Sequence, residues 1–289
     1  MRKITVIVPI YNAQKDVDLC LQSLVKNINH NICDVICVDD CSEPETADFV
    51  SKFCQEAFFK YLRNDENLGF VKTCNRGMKL ATGEIVVLLN SDTIIPENFC
   101  GKIIKCFESD NNIGVASPIA SHSGMYFIKK PLRYTLDECN ALIEKYHTAE
   151  YPDIFNAEGF CFCIRKSIIE NLGYLDEIYG FGYCEEVDYA HRVQSQGYRC
   201  VLIDDLYVYH KRHSSFGVER REKQLAVNEK IFKSRWQEFE NNIRVSYKNN
   251  PCRSIEKKVF YRNSLFNIIE YDEKYVVKCC GVRISIRKK

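Results

Sequence analysis

The chain has 289 residues, 46% of them hydrophobic and 27% charged, and a formal net charge of +1. This is the composition of an ordinary folded enzyme, one domain with an appendage, and it excludes a global field suited to nucleic acid or an acidic substrate. Sixteen cysteines invite a disulfide framework, but they sit at apolar periodic positions such as Cys33, Cys37, Cys161, Cys163 and Cys200, where free thiols act as small buried hydrophobes.

The N-terminal apolar run is too short for a signal peptide core, so a reducing, cytoplasmic compartment is expected. No stretch is long and apolar enough to span a bilayer, so any membrane contact is expected to be peripheral, at the inner face.

Residues 4–8 (ITVIV) form a continuous β-branched run, which predicts a strand covered on both faces. Residues 16–25 then place Val17, Leu21, Leu24 and Val25 on one helical stripe. Residues 34–38 (DVICV) predict a second strand with Asp39 and Asp40 at its exit, and Pro44 fits the first turn of the next helix. A short edge strand is predicted at 58–62 and a helix at 70–80, ended by Thr82-Gly83. Residues 84–89 (EIVVLL) predict another buried strand, which stops at Asn90-Ser91-Asp92. A helix from Pro96 to Phe107 and a strand at 113–117 follow. Strands alternating with helices predict an α/β domain with an open, mostly parallel sheet and helices on both faces.

Beyond this the order loosens. Residues 121–134 have no steady period, 135–146 predict a helix, and 155–164 alternate as a strand, antiparallel if it returns beside the buried strands. A short helix at 187–196, a strand at 200–203 and a long polar helix at 219–236 come next. After residue 240 the chain turns Asn-rich and then hairpin-like. The expected organisation is a catalytic domain over 1–240 and a small basic, β-containing extension over 241–289. From 271 to 289 there are six Lys or Arg residues against Asp272 and Glu273. This excess predicts either contact with an anionic membrane surface or a solvated basic end.

In a parallel α/β sheet, ligands bind at the carboxyl ends of the strands. Three such ends here release polar residues: 9–12, Asp39-Asp40, and Asn90-Ser91-Asp92. Asp at a strand exit is often only a helix cap, but three converging ends predict a site. Asp92, leaving an apolar strand, suits a hard cation such as Mg²⁺ or Mn²⁺ held against phosphate oxygens. A P-loop is absent, as is a glycine-rich dinucleotide fingerprint after the first strand. In 179–188 (YGFGYCEEVD), glycines and aromatics run into acids at a helix start. Those acids either favour the helix dipole or form a carboxylate pair with one raised pKa, a general base. His210 and His213 are either surface histidines or metal ligands.

Together these motifs resemble the family-2 inverting glycosyltransferases of GT-A fold, particularly bacterial surface-polysaccharide enzymes and rhamnosyltransferase-like members. They are VIVPIYNA (6–13), VDDCS (38–42), ENLGF (66–70), LLNSDT (88–93), GFGYCEEVDYAHR (180–192) and HKRHSS (210–215), and the likeness covers roughly residues 3–236. The resemblance implies a nucleoside-diphosphate sugar donor and a saccharide or lipid-linked acceptor, with no nucleic acid partner. It places Pro9 and Tyr11 at the nucleoside, Asp39 and Asp40 at base and ribose, Asn67 and Gly69 in a loop over that pocket, and Asn75 facing the donor. Asn90-Ser91-Asp92 takes the place of the DxD motif, with Asp92 and His210 as ligands of Mn²⁺ or Mg²⁺ and Asn90 replacing the first acid. Glu186 takes the place of the catalytic base, one methylene longer than the usual Asp, with Glu185 as the alternative. The acceptor is expected to meet 180–183 and 121–134. A non-catalytic nucleotide-sugar-binding relative is the competing reading, and a sugar nucleotidyltransferase a weaker one, since 9–14 lacks a phosphate loop.

Overall fold

The computed structural model describes residues 3–122, 124–146, 149–211, 218–237, 239–261, 266–270, 274–279 and 282–288. Strand β1 (Ile4–Ile10) is buried along its whole length because it lies between β2 (Cys33–Asp39) and β4 (Ile85–Leu89), parallel to both. With β3 (Lys60–Arg63) at the edge, these make the parallel half of an eight-stranded sheet, in the order β3-β2-β1-β4. The connecting helices α1 (Gln14–Asn27), α2 (Pro44–Ala57) and α3 (Phe70–Met78) are the crossovers that parallel strands require.

The second half is mixed. β7 (Cys161–Arg165) enters antiparallel between β4 and β6 (Ile113–Ala120), the returning strand anticipated for 155–164. β8 (Arg199–His210) pairs parallel with β6, and the two-residue β5 (Thr93–Ile94) pairs antiparallel with the end of β8. β8 is three times the length predicted for it. Its register against β6 jumps from Pro118↔Ile203 to Ile119↔Tyr207, so residues 204–206 bulge out and the strand resumes. Proline, which has no N–H to donate, is tolerated at such bulges. The jump carries His210 to the carboxyl end of the sheet, opposite Thr93.

Each sheet face has its own core. One contains Val17, Leu21, Val50, Phe99 and Ile103, from α1, α2 and α4 (Phe99–Ser109). The other gathers Val71, Cys139, Ile168, Tyr189 and Phe232, from α3, α5 (Leu136–Tyr146), α6 (Lys166–Leu172), α7 (Glu185–Ser195) and α8 (Val218–Arg235). This is the GT-A arrangement of a central curled sheet between helices. α9 (Phe239–Lys248) and α10 (Pro251–Glu256) follow, then a small antiparallel sheet of β9 (Phe266–Glu270), β10 (Lys274–Cys279) and β11 (Val282–Arg287). Cys252, Ile255, Val259 and Phe260 share the second core, so side chains on both sides of residue 240 pack together. The described cysteines are free thiols, most of them buried. Among the described residues no helix is long and apolar enough to cross a membrane.

Candidate active site

The parallel strand ends are tied to one another before any ligand is considered. Asn12 and Ala13, just past β1, both take left-handed backbone conformations. The Asn12 N–H donates to Ser42 Oγ and its Oδ1 accepts from the Glu43 N–H, each at 2.8 Å. The exits of β1 and β2 therefore form one rim, with Pro9 at the end of β1 paired beside Val38 and Tyr11 half-buried just beyond it.

The two acids on that rim have different surroundings. Asp39 is fully buried. Its Oδ1 accepts from the Ser42 N–H at 2.9 Å, and its Oδ2 accepts from the Tyr61 hydroxyl at 2.8 Å and from the Arg63 guanidinium. Burial, then the hydrogen bond to Asp39, pushes the Tyr61 hydroxyl up to about 12. Asp40 points the other way. Its oxygens accept from the Asn64 amide and the N–H groups of Leu68 and Gly69, at 2.7–2.8 Å. Asp40 thereby holds the ENLGF loop, and its carboxylate is spent on that backbone.

Gly69 opens α3 with φ +83°, and a Cβ there would lie 2.8 Å from Phe181 Cα. Only glycine permits this close approach, which brings the ENLGF loop against the aromatic loop 179–184. Asn67 Oδ1 accepts from the same Gly69 N–H at 3.1 Å. Asn75 is not brought to the pocket. Its buried amide donates to the Leu175 carbonyl at 2.9 Å and accepts from the Leu175 N–H at 3.0 Å, so it braces α3 against the chain beyond α6.

The Asn90-Ser91-Asp92 turn is partly buried at the end of β4, with the Asn90 N–H on the Phe160 carbonyl at 2.9 Å. Asp92 Oδ1 lies 3.4 Å from His210 Nε2. The His210 ring stacks on Phe160 at 4.9 Å, and its Nδ1 is buried with no hydrogen-bond partner among the described residues. His213 lies outside the described residues, as do residues 212–215 of the HKRHSS motif. Among the described residues no group of three or more His, Cys, Asp and Glu side chains could hold a metal ion unaided. Asp92 and His210 nonetheless fit a hard cation that takes its remaining ligands from substrate phosphates, as Mg²⁺ commonly does.

At the start of α7, Glu185 and Glu186 each keep a buried Oε2 with no hydrogen-bond partner among the described residues. Burial raises the pKa of both carboxyls, and the Glu186 charge raises Glu185 further. Asp188, in the same motif, is instead saturated. It accepts from Tyr179 Oη, the Arg192 and Arg235 guanidinium groups and Trp236 Nε1, and so joins α7 to the end of α8.

Between these parts runs Glu158-Gly159-Phe160, absent from the candidates drawn from sequence. Phe160 carries His210. Gly159 lies where a Cβ would be 3.3 Å from Glu186 Cγ. Glu158 accepts the Met125 N–H at 2.6 Å and anchors loop 121–134. Burial, offset by that bond and reinforced by the Glu186 charge, pushes the Glu158 carboxyl up to about 7. The sequence signal was slight, one acid in a stretch that alternates as a strand. Asn228 on α8 is a second such residue. Its buried amide donates to the carbonyls of Tyr179, Gly182 and Tyr183 at 2.7–2.9 Å, clamping a loop in which Tyr183 and Cys184 both have positive φ.

Comparison with known proteins bears on the family and the fold. The family described as Glycosyl transferase family 2 matches residues 5–173. Glycosyltransferase GlyG of Streptococcus pneumoniae is 26% identical over 221 residues, 73% of this chain and 72% of that protein. The low-salt glycan biosynthesis hexosyltransferase Agl10 of Haloferax volcanii is 23% identical over 216 residues, 71% of this chain and 66% of that protein. Among solved structures, Staphylococcus aureus TarS 1–349 in complex with UDP-GlcNAc superposes with a TM-score of 0.55 at 16% identity, covering 99% of each chain. The mannosyltransferase PcManGT from Pyrobaculum calidifontis, in complex with GDP-Man and Mn²⁺, gives 0.57 at 20% identity over 74% of this chain and 59% of that one. The structural likenesses show the fold, and the match over residues 5–173, more than half of the sequence, shows that the chain belongs to glycosyl transferase family 2.

Proposed function

We propose that the protein transfers a hexose or deoxyhexose from a nucleoside-diphosphate sugar, with inversion, to a hydroxyl of a saccharide or lipid-linked acceptor in surface polysaccharide assembly. The observation that carries this reading is the Glu158-Gly159-Phe160 segment. It sets a carboxyl pair of raised pKa on one side and the Asp92–His210 pair on the other. The relatives support the donor class: TarS is described in complex with UDP-GlcNAc and PcManGT with GDP-Man.

In this reading Tyr11 and the β1–β2 rim that the buried Asp39 braces flank the nucleoside, and Asn90 and Ser91 meet ribose or sugar hydroxyls. Glu186 takes the acceptor hydroxyl proton as that oxygen bonds to the anomeric carbon. The bond from that carbon to the diphosphate oxygen breaks, and its electron pair leaves on the nucleoside diphosphate. A divalent cation, Mn²⁺ or Mg²⁺, held by Asp92 and His210 would neutralise charge on the departing diphosphate. The raised pKa of Glu186 suits a base, and Glu185 is buried beside it.

A non-catalytic nucleotide-sugar-binding relative would bind donor without turnover. Screening nucleotide sugars for metal-dependent release of the nucleoside diphosphate separates the two. Release is expected with at least one donor, abolished by chelator and by Asp92→Ala. Full release in excess chelator would remove the metal from the mechanism, and binding without release from any donor would favour the non-catalytic reading.

A further inference from the structure

Loop 121–134 is pinned from two sides at a single peptide group. The Met125 N–H donates to Glu158 at 2.6 Å, and the Tyr126 N–H bonds the same carboxyl. Between those two donors, the Met125 carbonyl accepts from the Asn250 side-chain amide at 2.6 Å. Asn250 stands just before α10, 125 residues further along the chain. The peptide joining Met125 to Tyr126 is therefore held at its oxygen by Asn250 and at its nitrogen by Glu158. Hydrogen bonds chained in this way polarise and strengthen one another.

The turn is fitted closely to the reaction centre. Gly124 takes φ +108°, and a Cβ there would strike the Glu158 carboxyl. The Ala120 N–H donates to the Tyr126 carbonyl at 3.0 Å, and the Ile128 N–H to the Ala120 carbonyl at 2.9 Å. Where the loop begins, Ser121 Oγ accepts the His210 N–H, and Gly159, next to Glu158, lies against Glu186. Further along, the Leu132 N–H donates to the Ile268 carbonyl of β9 at 2.9 Å. The residues beyond 240 thus hold the loop at two points, and the one at Met125 is the one that reaches Glu158.

Asn250 has a second task that can be separated from the first. Its Oδ1 accepts the Cys252 N–H at 2.9 Å and so caps α10. Asp caps a helix as well as Asn does, but it has no amide to donate. Asn250→Asp therefore keeps the cap, removes the donor and sets a carboxylate against the Met125 carbonyl. We propose that Asn250 is a positioning residue for the acceptor side of the reaction. By holding turn 124–126 on Glu158, it lets the C-terminal extension set the wall that an acceptor meets beside Glu186. The clamp stands on geometry alone, and only its effect on turnover rests on the sugar-transfer reading.

The test compares the full chain with Asn250→Asp by hydrogen exchange at single amides and by nucleotide-sugar turnover, with a cooperative melting transition as the folding control. Exchange at Met125, Tyr126 and Ile128 is expected to speed up by about fivefold or more, as the loss of one hydrogen bond implies. The amides of α10 should keep their protection, because the cap remains. With a donor that the parent turns over, kcat should fall by about tenfold or more while the donor KM stays within about twofold. Unchanged exchange at Met125 and Tyr126 overturns the clamp. So does exchange that rises equally in α10, which would make Asn250 a helix cap alone. A kcat equal to the parent's, with or without a raised donor KM, overturns the acceptor-side role. If the parent turns over no donor, the sugar-transfer reading fails by itself and the exchange rates decide the clamp.

Discussion

Glu158 and Glu186 lie beside one glycine, and their surroundings assign them different tests. Glu186 must be ionised to accept a proton, and burial raises its pKa. The acid limb of kcat/KM should therefore fall above 4.5, the rate dropping as pH falls through the raised pKa. Glu186→Gln is expected to keep donor affinity, measured by calorimetry, while kcat falls by roughly 10²–10⁴. Glu158 shows itself through stability. Its carboxyl is raised from 4.5 to about 7, so the folded chain holds that proton more tightly than the unfolded one. The contribution is fully present below the unfolded value and is lost as pH rises through about 7. Glu158→Gln, which can still accept the Met125 N–H, should then melt higher than the parent at alkaline pH, by at most about 3 kcal/mol. Near pH about 4 the two melting curves should coincide. A higher melting temperature at all pH values would show that the charge is not the cause.

At the scale of elements, loop 179–184 is held by α8 more than by its own helix. Asn228 supplies N–H donors to three of its carbonyls while its own Oδ1 accepts from Gln224. Asn228→Ala takes the shared amide donor from the Gly182 and Tyr183 carbonyls, while Tyr179 keeps the Gly182 N–H, a loss of about 1–3 kcal/mol. Thermal unfolding should register that loss, and kcat/KM should fall because Phe181 and Tyr183 are no longer held; an unchanged kcat/KM would separate the clamp from the site. Such a device is hard to read in a sequence. Asn228 is one polar residue on a polar-rich helix, and its acceptors lie more than forty residues away. The buried strands β1, β2 and β4 were legible because continuous β-branched runs have few other uses. β8 was legible only in part, because Asp204 and Asp205 read as its end, whereas they bulge out and Lys102 bonds the Asp205 carbonyl at 2.8 Å.

Across the whole molecule, the extension drawn at residue 240 has a share in the main core. Cys252, Ile255, Val259 and Phe260 are at most 2% exposed, and each such side chain contributes about 1.5–3 kcal/mol by burial. A chain ending at residue 240 would lose all four, which approaches the 5–15 kcal/mol stability of a typical domain. It is expected to be insoluble or to lack a cooperative melting transition. Deleting only 271–289 removes β10 and β11, spares those four residues and should leave a folded domain with a cooperative melting transition. A cooperative transition in the chain ending at 240, at the parent's melting temperature, would show that the extension folds separately.

The order of strands and helices, and the release of acids where strands end, follow from local pattern: an apolar run must be buried, and the polar residues that stop it mark a sheet end. Hence Asp39, Asp40, Asn90 and Asp92 could be named from strand ends, while Glu185, Glu186 and His210 were singled out by the family resemblance of their motifs. Which of them face one another could not be read that way. A carboxylate's role depends on which distant donors reach it: Leu68 and Gly69 take up Asp40, Trp236 and Arg235 take up Asp188, and no described donor reaches the Oε2 atoms of Glu185 and Glu186. Only the folded chain decides that, because it alone sets Glu158, Gly159 and Phe160 between the carboxyl pair and His210.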